Sequence, residues 1–389
     1  MKKKTIIRLS ITLIVIAALA LWINSRWSAW FHNEAELPYA PQSEPGRVLL
    51  TFGDENELSR NISWQYDSIV VPSHVELVDT LSKDTIQIDA QGEIFQSRSG
   101  RQHTTLPNSV PYNLTAIILT AFVMKARPHP GIASVHTISL PATIIHSFMY
   151  VGDVQDSING KANHFFREAL QRHPDTEFFV FGGDLTERPT EQRWEETYRG
   201  LDSIGQQYPV ITVTGNHEYL KYIIRKLERR FSLVFSYYLD SMVGENQVYT
   251  LKYNDMQIFC LDSNREFFYL WTQKKWLEEQ LKKSNARWKI VVLHHPLYSI
   301  KGSMNNLFQR TMFNPLVEEY GVDLVLQGHE HAYARMTAHG ENGEAKHLFI
   351  QSVTAHPKTT TLSSTSGSTS SEQVAVTISK SVYMATPSP

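Results

Sequence analysis

The chain has 389 residues, 42% apolar and 20% charged, with a net charge of −2 and a single cysteine. That leaves room for two ordinary domains with a sizeable core, and too little basic excess for a nucleic-acid-binding surface. One cysteine excludes an intramolecular disulfide framework, and Cys260, inside QIFCLDS, reads as a small buried hydrophobe.

Lys2, Lys3, Lys4 and Arg8 precede an uncharged, mostly apolar run from Leu9 to Ser25, with Trp22, Trp27 and Trp30 towards its far end. A spanning helix needs about 20 apolar residues, and tryptophans favour the membrane interface. Residues 1–30 therefore read as a membrane anchor or a signal segment. The uncleaved anchor is favoured, because the weak cleavage site Ala18-Leu19-Ala20 lies inside the apolar run. Everything after Arg26 is then exported: membrane-anchored and facing the periplasmic or extracellular side, or secreted if residues 1–30 are cleaved.

Residues 31–45 are Pro-rich and polar, a linker. RVLLTFG, RNISWQY, SIVVPSHVELVD and DTIQID then cluster β-formers between turn residues, so a small β-sandwich is expected over 40–145. From Ile94 to Gly152 there is no Asp or Glu. A shifted reading frame would give such a composition, which resequencing the gene tests. Within it, Leu114–Met124 fits either a strand pair or an apolar helix.

Residues 146–352 alternate strand and helix, the pattern of an α/β domain with some parallel pairing. Five apolar runs end on a polar break that presents ligand-type residues: FMYVGDVQ, FFVFGGD, VITVTGNHE, IVVLHH and LVLQGHEH. Such short apolar runs read as buried strands, and open α/β sheets place their sites just past strand C-termini. Helices are expected over 161–172, 190–204, 272–284 and 307–320. A basic amphipathic helix is expected over 219–230, and a β-hairpin around Asn254-Asp255. Residues 353–389 are a Ser/Thr-rich tail expected to be mostly disordered, with at most one strand.

Phosphate-ester hydrolysis needs charge neutralisation and a nucleophilic water, and a pair of metal ions supplies both. One carboxylate must bridge the pair, with hard or borderline ligands on each side. Five strand ends offering Asp, Asp, Asn, His and a His-x-His pair meet that need. The absence of a thiolate and the mixed O/N donors suit Mn, Fe, Zn or Co.

The ordered set G-D-x-Q, G-G-D, G-N-H-E, H-H-P and G-H-x-H resembles the calcineurin-like metallophosphoesterase superfamily. RVLLTFGDENELSRNISWQ, HHPLYS and GHEHAYAR resemble its purple acid phosphatase branch, with an N-terminal fibronectin-like domain. The resemblance implies a two-sheet α/β/β/α sandwich, preceded here by the small β-sandwich and the N-terminal hydrophobic helix. It implies two divalent or trivalent metal ions. Asp153, the bridging Asp184 and His331 would hold the first, with Gln155 able to complete it. Asp184, Asn216, His294 and His329 would hold the second.

His217 would protonate the leaving oxygen, Glu218 would orient its imidazole, and His295 would contact substrate or pack. Purple acid phosphatases carry a tyrosine where Glu187 stands, so no ferric–phenolate colour is expected. The implied activity is phosphomonoester hydrolysis. The alternatives are a phosphodiesterase or nucleotide hydrolase on the same site, and a catalytically silent anchored binding protein.

Overall fold

The computed structural model describes residues 3–37, 45–53, 60–65, 72–79, 83–96, 103–108, 122–127, 133–136, 146–155, 160–235, 237, 243, 247–299, 306–331, 334–339, 345–351, 374–378 and 382–384. The chain opens on helix α1 (Lys3–Phe31), whose window Ile7–Ser28 is long and apolar enough to cross a membrane. No part of that window is buried against the rest of the chain. Strands β1 (Gly46–Phe52), β2 (Arg60–Gln65), β3 (Ser73–Asp79), β4 (Thr85–Gln96), β5 (His103–Asn108), β6 (Phe122–Arg127) and β7 (Ala133–His136) follow. Of Leu114–Met124, only the last three residues are described, and they open β6.

The alternating region runs β8 (His146–Val151), α2 (Ala162–Arg172), β9 (Phe178–Phe181), α3 (Glu191–Leu201), α4 (Ile204–Gln207) and β10 (Val210–Thr212). After a short hairpin of β11 (Tyr219–Leu220) and β12 (Lys226–Leu227) come α5 (Arg229–Val234), β13 (Tyr249–Tyr253) and β14 (Met256–Cys260). Then follow α6 (Phe267–Lys283), β15 (Trp288–Val292), α7 (Leu307–Glu319) and β16 (Leu324–Gln327). The last strands are β17 (Ala334–His339), β18 (Ala345–Gln351), β19 (Val374–Ile378) and β20 (Val382–Met384).

Two sheets carry the α/β region, in the orders β2-β1-β10-β9-β8-β19-β20 and β13-β14-β15-β16-β18-β17. In the second sheet, side-chain parity assigns the layers. Ile258, Ile290, Val292, Leu324 and Leu326 join the core shared with the first sheet, while Phe259, Val291 and Val325 pack with Leu277, Phe313 and Val317 of α6 and α7. On the first sheet, Phe178 stacks on Phe148 and meets Tyr253 of the other sheet edge-on. Its neighbour Phe179 faces Phe166 of α2. Helices thus cover both outer faces, giving the α/β/β/α sandwich.

Three outcomes differ from the sequence reading. β1 and β2 join the first sheet, through parallel pairing of Thr51 with Val210. Only β3–β7 form a separate five-stranded sheet, so the strands expected of one sandwich over 40–145 divide between two sheets. Residues 219–230 form the β11–β12 hairpin and the first residues of α5 rather than one helix. The tail supplies two strands, β19 against β8 and β20 against β19. Its Ser/Thr-rich stretch 352–373 lies outside the described residues. The Asn254-Asp255 hairpin forms as expected between β13 and β14.

Arg230 ties these parts together. Its guanidinium pairs with Glu36, Glu191 and Glu228, and all four side chains are almost fully buried. Glu36 lies just beyond α1, so this cluster fastens the end of the helix to the α/β region. Arg230→Met is expected to lower stability by about 3 kcal/mol, because three buried carboxylates lose their shared counter-charge. Thermal unfolding of the full chain reads it, and an unchanged midpoint would show that the cluster supports nothing.

Candidate active site

All ten residues singled out in the sequence stand just beyond the C-terminal ends of parallel strands. Asp153 and Gln155 follow β8, Asp184 follows β9, and Asn216, His217 and Glu218 follow β10. His294 and His295 follow β15, and His329 and His331 follow β16. The edges of the two sheets meet there. Five of the ten hold left-handed backbone: Asp153 (φ 49°), Gln155 (33°), Asp184 (51°), His329 (75°) and His331 (47°). Such strain, about 1–3 kcal/mol per residue, persists where surrounding structure over-determines it, as functional sites do.

The turns leave no room for larger residues. Gly183 has a φ of 87°, and a Cβ there would come within 2.6 Å of the Gly215 amide nitrogen. A Cβ on Gly215 would stand 2.0 Å from Asp184 Oδ1. The β9 and β10 loops therefore approach each other backbone to carboxylate.

Asp184 is the hub. Its Oδ2 lies 3.2 Å from His294 Nε2, and its Oδ1 accepts the His217 backbone amide at 2.8 Å. Ligand atoms of Asp184, His294 and His329 all lie within 4.8 Å of one another. Asn216 Oδ1 is 3.3 Å from His294 Nε2. On the other side, Asp153 Oδ1 lies 3.6 Å from His331 Nε2, and Asp153 Oδ2 accepts the His329 amide at 2.7 Å.

The two carboxylates are fully buried. Burial raises Asp153 to about 8, helped by the negative charge of Asp184 and opposed by His294. Burial would raise Asp184 too, but the His294 and His217 rings hold it well below the usual carboxylate range. His294 is pushed up to about 10, because the facing Asp184 outweighs burial.

The donors fit a pair of hard or borderline cations. Gln155 Oε1 is buried without a hydrogen-bond partner among the described residues, while its Nε2 donates to Glu187 Oε2 at 3.2 Å. A buried amide oxygen so left costs about 1–3 kcal/mol unless something electropositive meets it. The two departures from the purple acid phosphatase pattern, Gln155 and Glu187, thus touch. Glu187 holds the amide so that its oxygen stays available as a neutral ligand. His294 Nδ1 meets the Gly182 carbonyl at 2.9 Å, which leaves Nε2 for ligation.

The remaining three residues sort differently. His217 is partly exposed, and its Nε2 lies 3.9 Å from Asp184 Oδ2. Its Nδ1 and Arg188 Nη1 both reach the carbonyl oxygen of Glu187, which can accept from both. Glu218 does not orient that imidazole, contrary to expectation. Its carboxylate accepts the backbone amides of Gly215 (2.6 Å), Leu185 (2.8 Å), Asp184 (3.0 Å) and Thr186 (3.3 Å). The reason is local geometry. Asn216–Glu218 is one turn of 3₁₀ helix, in which successive side chains point about 120° apart, so His217 faces out and Glu218 inward. Burial and Asp184 raise Glu218 to about 7.

His295 packs against His329 with ring centroids 4.2 Å apart and the rings tilted by 43°, and its Nδ1 meets Ser263 Oγ at 3.0 Å. Burial and the adjoining imidazoles push its titration well down.

Two groups escaped the sequence reading in whole or in part. Asp262, Ser263 and Asn264 stand just past β14. Asp262 accepts the Tyr219 hydroxyl, and Asn264 Nδ2 donates to the Thr214 carbonyl at 2.8 Å. They clamp the β10 loop from the other sheet. The run QIFCLDSN repeats the strand-then-polar grammar of the five ligand stretches and could have revealed them. Arg188, Lys221 and Arg225 line the mouth beside Asn216 and His217. Lys221 and Arg225 come from the basic run 219–230, whose charge reads first as a solvated face and second as drawing an anionic substrate, and Arg188 has no sequence signal beyond its charge.

Fold and site together define a two-sheet metallophosphoesterase. Residues 146–333 match the calcineurin-like phosphoesterase family. The chain is 28% identical over 177 residues to probable purple acid phosphatase 20 of Arabidopsis thaliana, covering 42% of this chain and 41% of that protein. It is 26% identical over 327 residues to phosphoenolpyruvate phosphatase of Allium cepa, covering 76% and 63%. A solved structure titled as GAP50, the anchor in the inner membrane complex of Plasmodium, aligns at a TM-score of 0.42 and 15% identity, over 61% of this chain and 82% of that one. The chain spans 41% and 63% of the two relatives' lengths. Residues 146–333 thus form a calcineurin-like phosphoesterase domain, and the chain resembles the purple acid phosphatases in sequence.

Proposed function

We propose that the chain is a dinuclear-metal-dependent hydrolase of phosphate esters, acting as an acid-phosphatase-like phosphomonoesterase and tied to a membrane by α1. The supporting observation is the meeting of Asp184, His294 and His329 beside Asp153, His331 and Gln155 Oε1, which is buried without a hydrogen-bond partner among the described residues. On this reading Asp153, Gln155, Asp184 and His331 hold one cation, and Asp184, Asn216, His294 and His329 hold the other. The bound cations neutralise phosphate charge and supply a nucleophilic water near neutral pH.

The chain's own residues do the rest. Arg188, Lys221 and Arg225 give the mouth the positive potential that draws a phosphate. His217, with Nδ1 engaged at the Glu187 carbonyl, presents Nε2 to protonate the leaving oxygen. Glu218 and His295 keep the loops and rings in place. A relative named for phosphoenolpyruvate, itself a phosphomonoester, supports the monoester reading.

The test is elemental analysis of the purified full chain beside turnover of an aryl phosphate monoester and an aryl phosphate diester. The expected result is two metal ions per chain and faster monoester turnover, abolished by chelation and restored by adding metal. Faster diester turnover would assign the phosphodiesterase reading instead. Metal-loaded protein that turns over neither ester would overturn the hydrolase reading.

A further inference from the structure

α1 ends at Phe31, and the chain docks on the α/β region almost at once. Asn33 exchanges two hydrogen bonds with the Lys221 backbone, its Nδ2 donating to the carbonyl at 3.0 Å and its Oδ1 accepting the amide at 2.7 Å. Two residues span at most about 7 Å, so Lys221 lies close to the end of the apolar helix. The cleft beside His217, about 190 Å³, is lined both by Trp30 and Asn33 and by Arg188, His217 and Arg225. The end of a candidate membrane span is thus one wall of the catalytic mouth.

The β11–β12 hairpin hangs over this cleft. Its tip exposes three apolar residues in a row: Tyr222 (51%), Ile223 (90%) and Ile224 (64%). A globular surface rarely tolerates such a run unless it serves a function. Arg225, Lys226 and Arg229, all exposed, follow the tip. Of the nearby acids Glu218 and Glu228 are buried, while the part-exposed Glu266 and Glu187 adjoin Arg225 and Lys221 and leave the collar an excess of positive charge. An apolar tip with a basic collar suits a bilayer interface carrying anionic phosphate headgroups.

We infer that the mouth opens onto the membrane surface, that the 219–227 hairpin dips its tip into the bilayer, and that the substrate is a phosphate monoester borne by a lipid. The substrate class rests on the hydrolase reading above. Water adds to phosphorus, the ester P–O bond breaks, and the lipid alkoxide leaves with a proton from His217, yielding inorganic phosphate and a lipid alcohol. Product alcohol stays in the bilayer while phosphate escapes to water.

The test uses the full chain reconstituted by α1 into phosphatidylcholine vesicles. Phosphatidic acid in the same bilayer is compared with glycerol 3-phosphate, the same headgroup without acyl chains, and with an aryl phosphate. The expected kcat/KM favours phosphatidic acid by about tenfold or more, and the double variant Ile223→Asp, Ile224→Asp removes that preference while aryl phosphate turnover is unchanged. No preference, or an equal fall on all three, overturns the lipid assignment. Loss of all turnover in the unaltered protein would instead overturn the hydrolase reading.

A second arm is independent of catalysis. Cys260 is buried, so Ile223→Cys takes an environment-sensitive dye selectively. Its emission should shift to the blue in vesicles containing phosphatidic acid, relative to the same dye attached at exposed Glu279→Cys in the same vesicles. Equal emission at the two positions overturns the inserted hairpin.

Discussion

His217→Ala is expected to lower kcat by about 10²- to 10⁴-fold on an alkyl phosphate while the protein keeps its metal ions. The ring is the one imidazole of the site directed to the mouth rather than packed among the ligands. Its Nε2 is 3.9 Å from Asp184 Oδ2, whereas His294 Nε2 is 3.2 Å from the same oxygen. Nδ1 is engaged by the Glu187 carbonyl and by Arg188 Nη1, which leaves Nε2 as the nitrogen that faces the leaving oxygen and transfers the catalytic proton. An alkoxide leaving group needs that proton, and a nitrophenolate does not. The loss should therefore be large on an alkyl phosphate and small on a nitrophenyl phosphate. Equal losses on both esters, or a fall in metal content, would remove His217 from proton transfer.

The ligand set was legible because it obeys one local rule. A short β-rich run ends at a sharp polar turn, and the side chains beyond it gather wherever the strands are parallel and adjacent. Asp153, Asp184, Asn216, His294, His329 and His331 all follow it. What the rule could not supply was the partner of each strand. RVLLTFG reads as a strand from its residues, yet only tertiary packing decides that Thr51 pairs with Val210. Likewise β19 lies against β8, a pairing across most of the α/β region that no local pattern encodes.

The misread helix at 219–230 has a similar cause. Leu220 and Leu227 stand seven apart and suit a helix face as well as two arms of a hairpin. A helix would also need to cover Ile223 and Ile224, which are exposed, and Asn33 fixes the hairpin from outside the window. The mistaken role for Glu218 came from adjacency. Being next to His217 in sequence puts the two side chains on different sides of a 3₁₀ turn.

That inward-facing carboxylate should prove the most sensitive single position for stability. Four backbone amides from two loops converge on Glu218, and all are buried with it. Removing the acceptor strands those amides at about 1–3 kcal/mol each, so Glu218→Ala is expected to cost about 4 kcal/mol or more. Typical domains have only about 5–15 kcal/mol to lose. The amide of Asp184 is among the four, so the same substitution should release the hub carboxylate and lower the bound metal.

Glu218→Gln keeps the length and one acceptor oxygen, but turns an N–H pair towards donors, and should fall between the two. Thermal unfolding and elemental analysis of the three proteins read the series. If the alanine variant melted with the unaltered chain, Glu218 would not be the pin that joins the Asp184 loop to the Asn216 loop. Metal retention despite a large drop in melting would separate that pin from the metal centre. The bond from the Asp184 amide argues that the two losses come together.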